Sequence, residues 1–127
     1  VSATLDANVL LYASDIQSPF SEKSIALLEE LAAGPDLFYV FWPVIMGYLR
    51  IATHPSIFQT PLSPAVATTN VDSLINRPHV RTPGEEDRFW DVYRTAASDI
   101  VVRGNLVSDA HLVALMRQHS VETIWTH

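Results

Sequence analysis

Two aspartates stand where an acid needs a reason. Asp6 interrupts the apolar run Ala3-Thr4-Leu5-Asp6-Ala7-Asn8-Val9-Leu10-Leu11-Tyr12-Ala13, and Asp109 lies in Gly104-Asn105-Leu106-Val107-Ser108-Asp109-Ala110-His111-Leu112-Val113-Ala114-Leu115. A buried carboxylate is costly unless it is paired or holds a metal, so Asp6 needs a partner. Local sequence favours a plainer role for the second pair, with Ser108 or Asp109 as an ordinary helix N-cap. The chemistry open to such acids is that of hard cations: Mg²⁺ and Mn²⁺ take carboxylate oxygens together with water and phosphate. The chain has no cysteine, which excludes disulfides, thiolate metal sites and a cysteine nucleophile. His54, His79, His119 and His127 show no HxxxH-type pairing, which argues against zinc. His111 is two residues beyond Asp109, points elsewhere on a helix, and suits packing or partner contact.

The elements that must position these acids follow from pattern. Val1 to Leu5 reads as a first strand, which places Asp6 at its carboxyl end, where ligands collect in open α/β sheets. Asn8 then caps or shapes the turn into Leu10 to Ser14. Ser18-Pro19 reads as a helix start, followed by the stripe Ile25, Leu27, Leu28, Leu31 and Ala32, and Gly34-Pro35 stops it. Leu37 to Phe41 has the make-up of a buried strand. Pro43 opens a helix in which Val44, Tyr48, Ile51 and Ala52 share a face. Ser56 to Leu62 reads as a loop, and Ser63-Pro64 starts a helix with Val66, Val71, Leu74 and Ile75 inward. His79 to Thr82 is a weak strand. Glu85, Glu86 and Asp87 suit a first helical turn, with Phe89, Trp90, Val92, Tyr93 and Ala96 on its core side. A helix with Ser108 or Asp109 in its N-terminal turn, Leu112, Leu115 and Met116 on its apolar face and Ala110, Val113 and Ala114 also packed, and an apolar last strand, Val121 to His127, complete the chain.

The bulk properties narrow the class. A chain of 127 residues with 48% hydrophobic content is expected to form one domain, residues 1–127, with a real core. No apolar run is long enough to span a membrane and no basic, apolar leader opens the chain, so a cytoplasmic protein without membrane partners is the expectation. A net charge of −6 weighs against nucleic acid, because phosphate binding relies on cations. Seven of the eight basic residues are arginine, however, the side chain suited to forked phosphate recognition. Carboxylates gathered around a divalent ion would also count as negative while facing a cation.

Three stretches carry a resemblance. Leu5 to Ala13, Trp42 to Pro55 and Asn105 to Ala114 resemble the PIN domain of VapC-type toxins, the ribonucleases of VapBC toxin–antitoxin systems. The resemblance covers nearly the whole chain. It implies a three-layer α/β fold, a mostly parallel central sheet flanked by helices, as the β-then-helix alternation also suggests. It implies a hydrolase that cleaves RNA with Mg²⁺ or Mn²⁺ held by Asp6 and Asp109, with Asn8 and Ser108 supporting. The implied partners are RNA and a cognate antitoxin, and the implied state is a homodimer or a toxin–antitoxin hetero-oligomer.

The chain departs from that family at two places. Family members commonly carry a glutamate before the aromatic-Leu-Arg-Ile-Ala-Thr run, where this sequence has Gly47. Glycine inside a helix costs about 1 kcal/mol relative to alanine. An engineered or selected loss of toxicity is the favoured account, against a natural member lacking the acid; close helix packing is a third. A further family acid follows a Thr-x pair such as Thr126-His127, and a truncated chain is the expectation there. This chain is therefore expected to bind metal weakly and cleave little. Arg50 could meet RNA phosphate, an antitoxin carboxylate or solvent. Trp42, Trp90 and Trp125 suit core or interface better than base stacking. The alternative function is a catalytically inactive PIN-like module that binds RNA or protein. A nucleotide-binding domain is disfavoured, because no glycine-rich phosphate loop follows the first strand.

Overall fold

The computed structural model describes residues 2–126; Val1 and His127, assigned to the first and last strands, lie outside the described residues. The elements run β1 (Ala3–Leu5), α1 (Ala7–Ser14), α2 (Ser21–Ala33), β2 (Phe38–Tyr39), α3 (Trp42–Ala52), α4 (Pro64–Ile75), β3 (Val80–Arg81), α5 (Phe89–Ala96), α6 (Asn105–Gln118) and β4 (Thr123–Trp125). The sheet order is β3-β2-β1-β4 and every pairing is parallel. The expected α/β architecture of a parallel sheet flanked by helices is therefore present. Chain order runs from β1 to one side through β2 and β3 and returns on the other side as β4. This makes the carboxyl end of β1 a topological switch point, the crevice where open sheets bind ligands.

The core forms where β-branched and aromatic residues meet the inner faces of the helices. Leu5, Phe38, Val40, Phe41, Ile45 and Leu115 are among its fully buried side chains. Among the described residues no helix is long and apolar enough to cross a membrane.

Several boundaries differ from the sequence expectation, each for a local reason. Ser18 does not cap α2. Its hydroxyl accepts the Phe20 N–H at 3.1 Å in a preceding turn, and the helix begins at Ser21. Ile25 and Val66 are about half exposed, while Ser21 and Ser24 beside the one and Ala67 beside the other are buried. Ser63 caps α4 as expected, accepting the Val66 N–H at 3.2 Å.

The acidic run does not open α5, which begins at Phe89. The segment 84–87 is strapped along α6 instead. His111 Nε2 meets Glu85 Oε1 at 2.7 Å, Gln118 Oε1 accepts the Glu86 N–H, Gln118 Nε2 donates to the Asp87 carbonyl, and His119 Nε2 lies 2.8 Å from the Gly84 carbonyl. Together these outweigh the few tenths of a kcal/mol to about 1 kcal/mol that a helix dipole offers an acid. Nor is α5 a core helix: no residue of it is buried and Trp90 is 66% exposed. Trp42 and Trp125 are also exposed, so none of the three tryptophans lies in the core.

Candidate active site

Asp6 follows β1 directly, its backbone N–H bonded to the Trp125 carbonyl of the neighbouring strand β4 at 3.1 Å. Its own backbone is extended, and its Oδ1 accepts the N–H groups of Asn8 at 3.0 Å and Val9 at 3.4 Å. The partner that Asp6 required is thus the N-terminus of α1, and the carboxylate itself caps that helix. Asn8 is not the cap: it contributes a backbone N–H, and its side chain is exposed. The negative charge at a helix N-terminus is favoured by the macrodipole.

Asp109 has the reverse history. The helix starts at Asn105 with Gly104 as N-cap, at a positive φ of 58° with ψ of −130° that suits glycine. Ser108 and Asp109 therefore lie one turn inside the helix and cap nothing. Aspartate is a poor helix former, and neither residue's side chain has a hydrogen bond or ion pair among the described residues. Both are exposed. Because α6 ends shortly before β4 begins, it runs back across the sheet, and its first turns lie toward the carboxyl edge that carries Asp6.

Position 47 bears on the same region. A Cβ built on Gly47 meets only the Ala7 Cβ, at 4.0 Å, an ordinary contact with the residue next to Asp6. Packing does not require glycine there, which sets aside the close-packing account. The helix carrying position 47 is held by Tyr48, which is 2% exposed. Tyr48 Oη accepts from Asn70 Nδ2 at 3.1 Å and shares a 2.7 Å hydrogen bond with Ser14 Oγ. This network ties α3 to both α1 and α4. Sequence reasoning misses it, although a tyrosine on a buried helical stripe signals a hydroxyl in need of a partner. Arg50 is exposed in the last turn of α3, with no side-chain partner among the described residues.

The donor chemistry here suits a hard divalent ion, since the candidates are carboxylates. The number falls short: among the described residues no three His, Asp or Glu side chains gather to hold a metal. Asp6 and Asp109 are present; the third acid is not.

His111 packs as expected, edge-on to Phe89 at 5.5 Å between centroids and paired with Glu85. That pair lowers the Glu85 carboxyl below its ordinary 4.5, through the His111 hydrogen bond first and a backbone N–H second, against some desolvation. A depressed acid stabilises the fold above its unfolded value and loses that contribution as pH falls through the folded value. Glu85→Gln is accordingly expected to flatten the acid limb of a Tm-against-pH curve below about 4.5. An unaltered acid limb would remove Glu85 from the account.

No family model matches the chain. Ribonuclease VapC48 of Mycobacterium tuberculosis is 51% identical over 127 residues, 100% of this chain and 88% of that protein. Among solved structures, the Mycobacterium tuberculosis toxin VapC20, described as cleaving the sarcin-ricin loop, superposes with a TM-score of 0.71 at 13% identity, covering 98% of this chain and 88% of that one. VapBC2 of Rickettsia felis, bound to a DNA fragment from its promoter, gives a TM-score of 0.62 at 12% identity over 99% and 98% of the two chains. The full-length identity to VapC48, on a parallel sheet with an acid at its switch point, shows that the chain belongs to the VapC family of PIN-domain ribonuclease toxins.

Proposed function

We propose that this chain is the toxin of a toxin–antitoxin pair, an endoribonuclease that depends on Mg²⁺ or Mn²⁺, and that Gly47 leaves it impaired. Asp6 and Asp109 would hold the ion. When bound, it would polarise the scissile phosphate and make a water more acidic. Asp6 stays oriented by the two N–H groups it caps, and Asn8 and Ser108 would support the two acids by orienting substrate. The observation that carries this reading is position 47 itself, where a Cβ meets only the Cβ of Ala7, Asp6's neighbour, at an ordinary 4.0 Å, so that a side chain can begin where family members carry the glutamate. The Rickettsia felis neighbour is a toxin–antitoxin complex, and a chain of net charge −6 suits a partner that brings a basic segment. Arg50 is free to meet RNA phosphate or that partner, and the assembled state is a homodimer or a complex with the antitoxin.

The test is cleavage of a mixed cellular RNA pool by this chain and by Gly47→Glu, each with Mg²⁺ or Mn²⁺ and with EDTA. Cleavage by Gly47→Glu alone, abolished by EDTA, is the expected result. RNA that is bound and left intact by both proteins would instead make this member a non-cutting binding module.

A further inference from the structure

Helix α6 is enclosed on most sides. From Asp109 to its end, Ala110, Leu112, Ala114, Leu115 and Met116 are buried and His111 and Gln118 half-buried; Asp109, Val113 and Arg117 are exposed. These three follow one another at intervals of four residues, so they form a single ridge along the helix. At 1.5 Å per residue the ridge runs about 12 Å from Asp109 to Arg117.

A groove of about 340 Å³ lies at its far end, lined by Arg88, Asp91, Val92, Thr95 and Arg117. The depression continues along α5 past Arg94. Three guanidiniums thus border one carboxylate, Asp91, in a chain whose net charge is −6. None of the three has a hydrogen bond or ion pair among the described residues, whereas Arg77 pairs with Glu29 and Arg81 donates to backbone carbonyls. Arg88 enters α5 in the left-handed backbone region, φ 67° and ψ 20°, without capping the helix by its side chain. Few residues other than glycine adopt that conformation, and its occurrence calls for a reason.

We propose that the ridge and groove form a track for the RNA strand, with the reacting segment at Asp109 and flanking backbone phosphates taken by Arg117 and Arg88. This rests on the ribonuclease reading. Arginine's planar fork matches phosphate oxygens. At roughly 3.4 Å per stacked nucleotide, 12 Å separates sites about three to four nucleotides apart. The groove therefore adds affinity at a distance from the acids, and it selects substrates that extend past the cut in one direction.

The experiment measures binding of a fluorescently labelled single-stranded RNA 12-mer by anisotropy, in EDTA, over a series of salt concentrations. It compares this chain with Arg88→Gly/Arg117→Gln and with the charge-matched control Lys23→Gln/Arg77→Gln. Arg88→Gly removes the guanidinium while easing the left-handed backbone, and an unchanged or higher Tm excludes misfolding as the cause of any loss. The groove variant is expected to bind about tenfold more weakly, with a salt slope smaller by about 0.7 for each phosphate that is no longer neutralised; the control keeps affinity and slope. A groove variant that matches the parent in both overturns the track, even where Gly47→Glu cuts RNA. A parent that binds no RNA, and whose Gly47→Glu form cuts none, overturns the ribonuclease reading and the track with it.

Discussion

Placed in the Gly47→Glu chain, Asp6→Asn is expected to slow RNA cleavage by about a hundredfold or more while moving Tm by only a few degrees. The two effects separate because Asp6 has two functions on different atoms and charges. As a cap, its Oδ1 takes the Asn8 and Val9 N–H groups, a task that asparagine performs about as well as aspartate. As a candidate ligand it supplies a negative charge, which asparagine lacks. Lewis-acid stabilisation of a phosphoryl transition state is worth several kcal/mol, and each roughly 1.4 kcal/mol is a factor of ten. Asp6→Ala removes both functions and should in addition cost about 0.5–2 kcal/mol of stability. Cleavage rates and thermal melts of the three proteins decide the matter. An asparagine variant that cuts as fast as its parent would leave Asp6 as a helix cap and nothing more.

The contrast between Asp6 and Asp109 shows what sequence can and cannot reveal. Both acids are visible as anomalies, and the strand before Asp6, the helix containing Asp109 and the α/β class follow from pattern. What pattern does not assign is which acid has a structural role. Ser108-Asp109 looks like a cap because the apolar face begins just after it, yet Gly104 at positive φ starts the helix earlier. Asp6 looks like an acid without a partner because the two N–H groups that satisfy it belong to residues of ordinary character. The acidic run at Glu85 to Asp87 fails as a helix start for a related reason. Its partners, His111, Gln118 and His119, lie more than 25 positions away, and tertiary bonds override a local preference. The arginine groove is illegible because α5 has an amphipathic sequence, which reads as a core helix, and only the fold reveals that the helix lies exposed.

The largest effect on stability is expected from Phe41→Ala. Phe41 is fully buried, 6.1 Å from the ring of Tyr39 and 5.9 Å from that of His119, and it is the residue at which β2 gives way to α3. Truncating a buried phenylalanine costs about 3–5 kcal/mol, a large part of the roughly 5–15 kcal/mol that holds a domain together. The urea midpoint should fall accordingly with little change in slope, and Phe41→Leu should restore most of the loss because it keeps an apolar side chain in the space. A loss below about 1 kcal/mol would mean that the core closes around the cavity and that Phe41 is not a keystone. The position also tests how the site is built. Phe41 sets where α3 begins, and α3 brings position 47 up to Ala7, so in the Gly47→Glu chain the damage should reach cleavage only through the helix it anchors. Phe41→Leu, folded at low temperature, should therefore cut RNA nearly as well as its parent, whereas Asp6→Asn, equally well folded, should not.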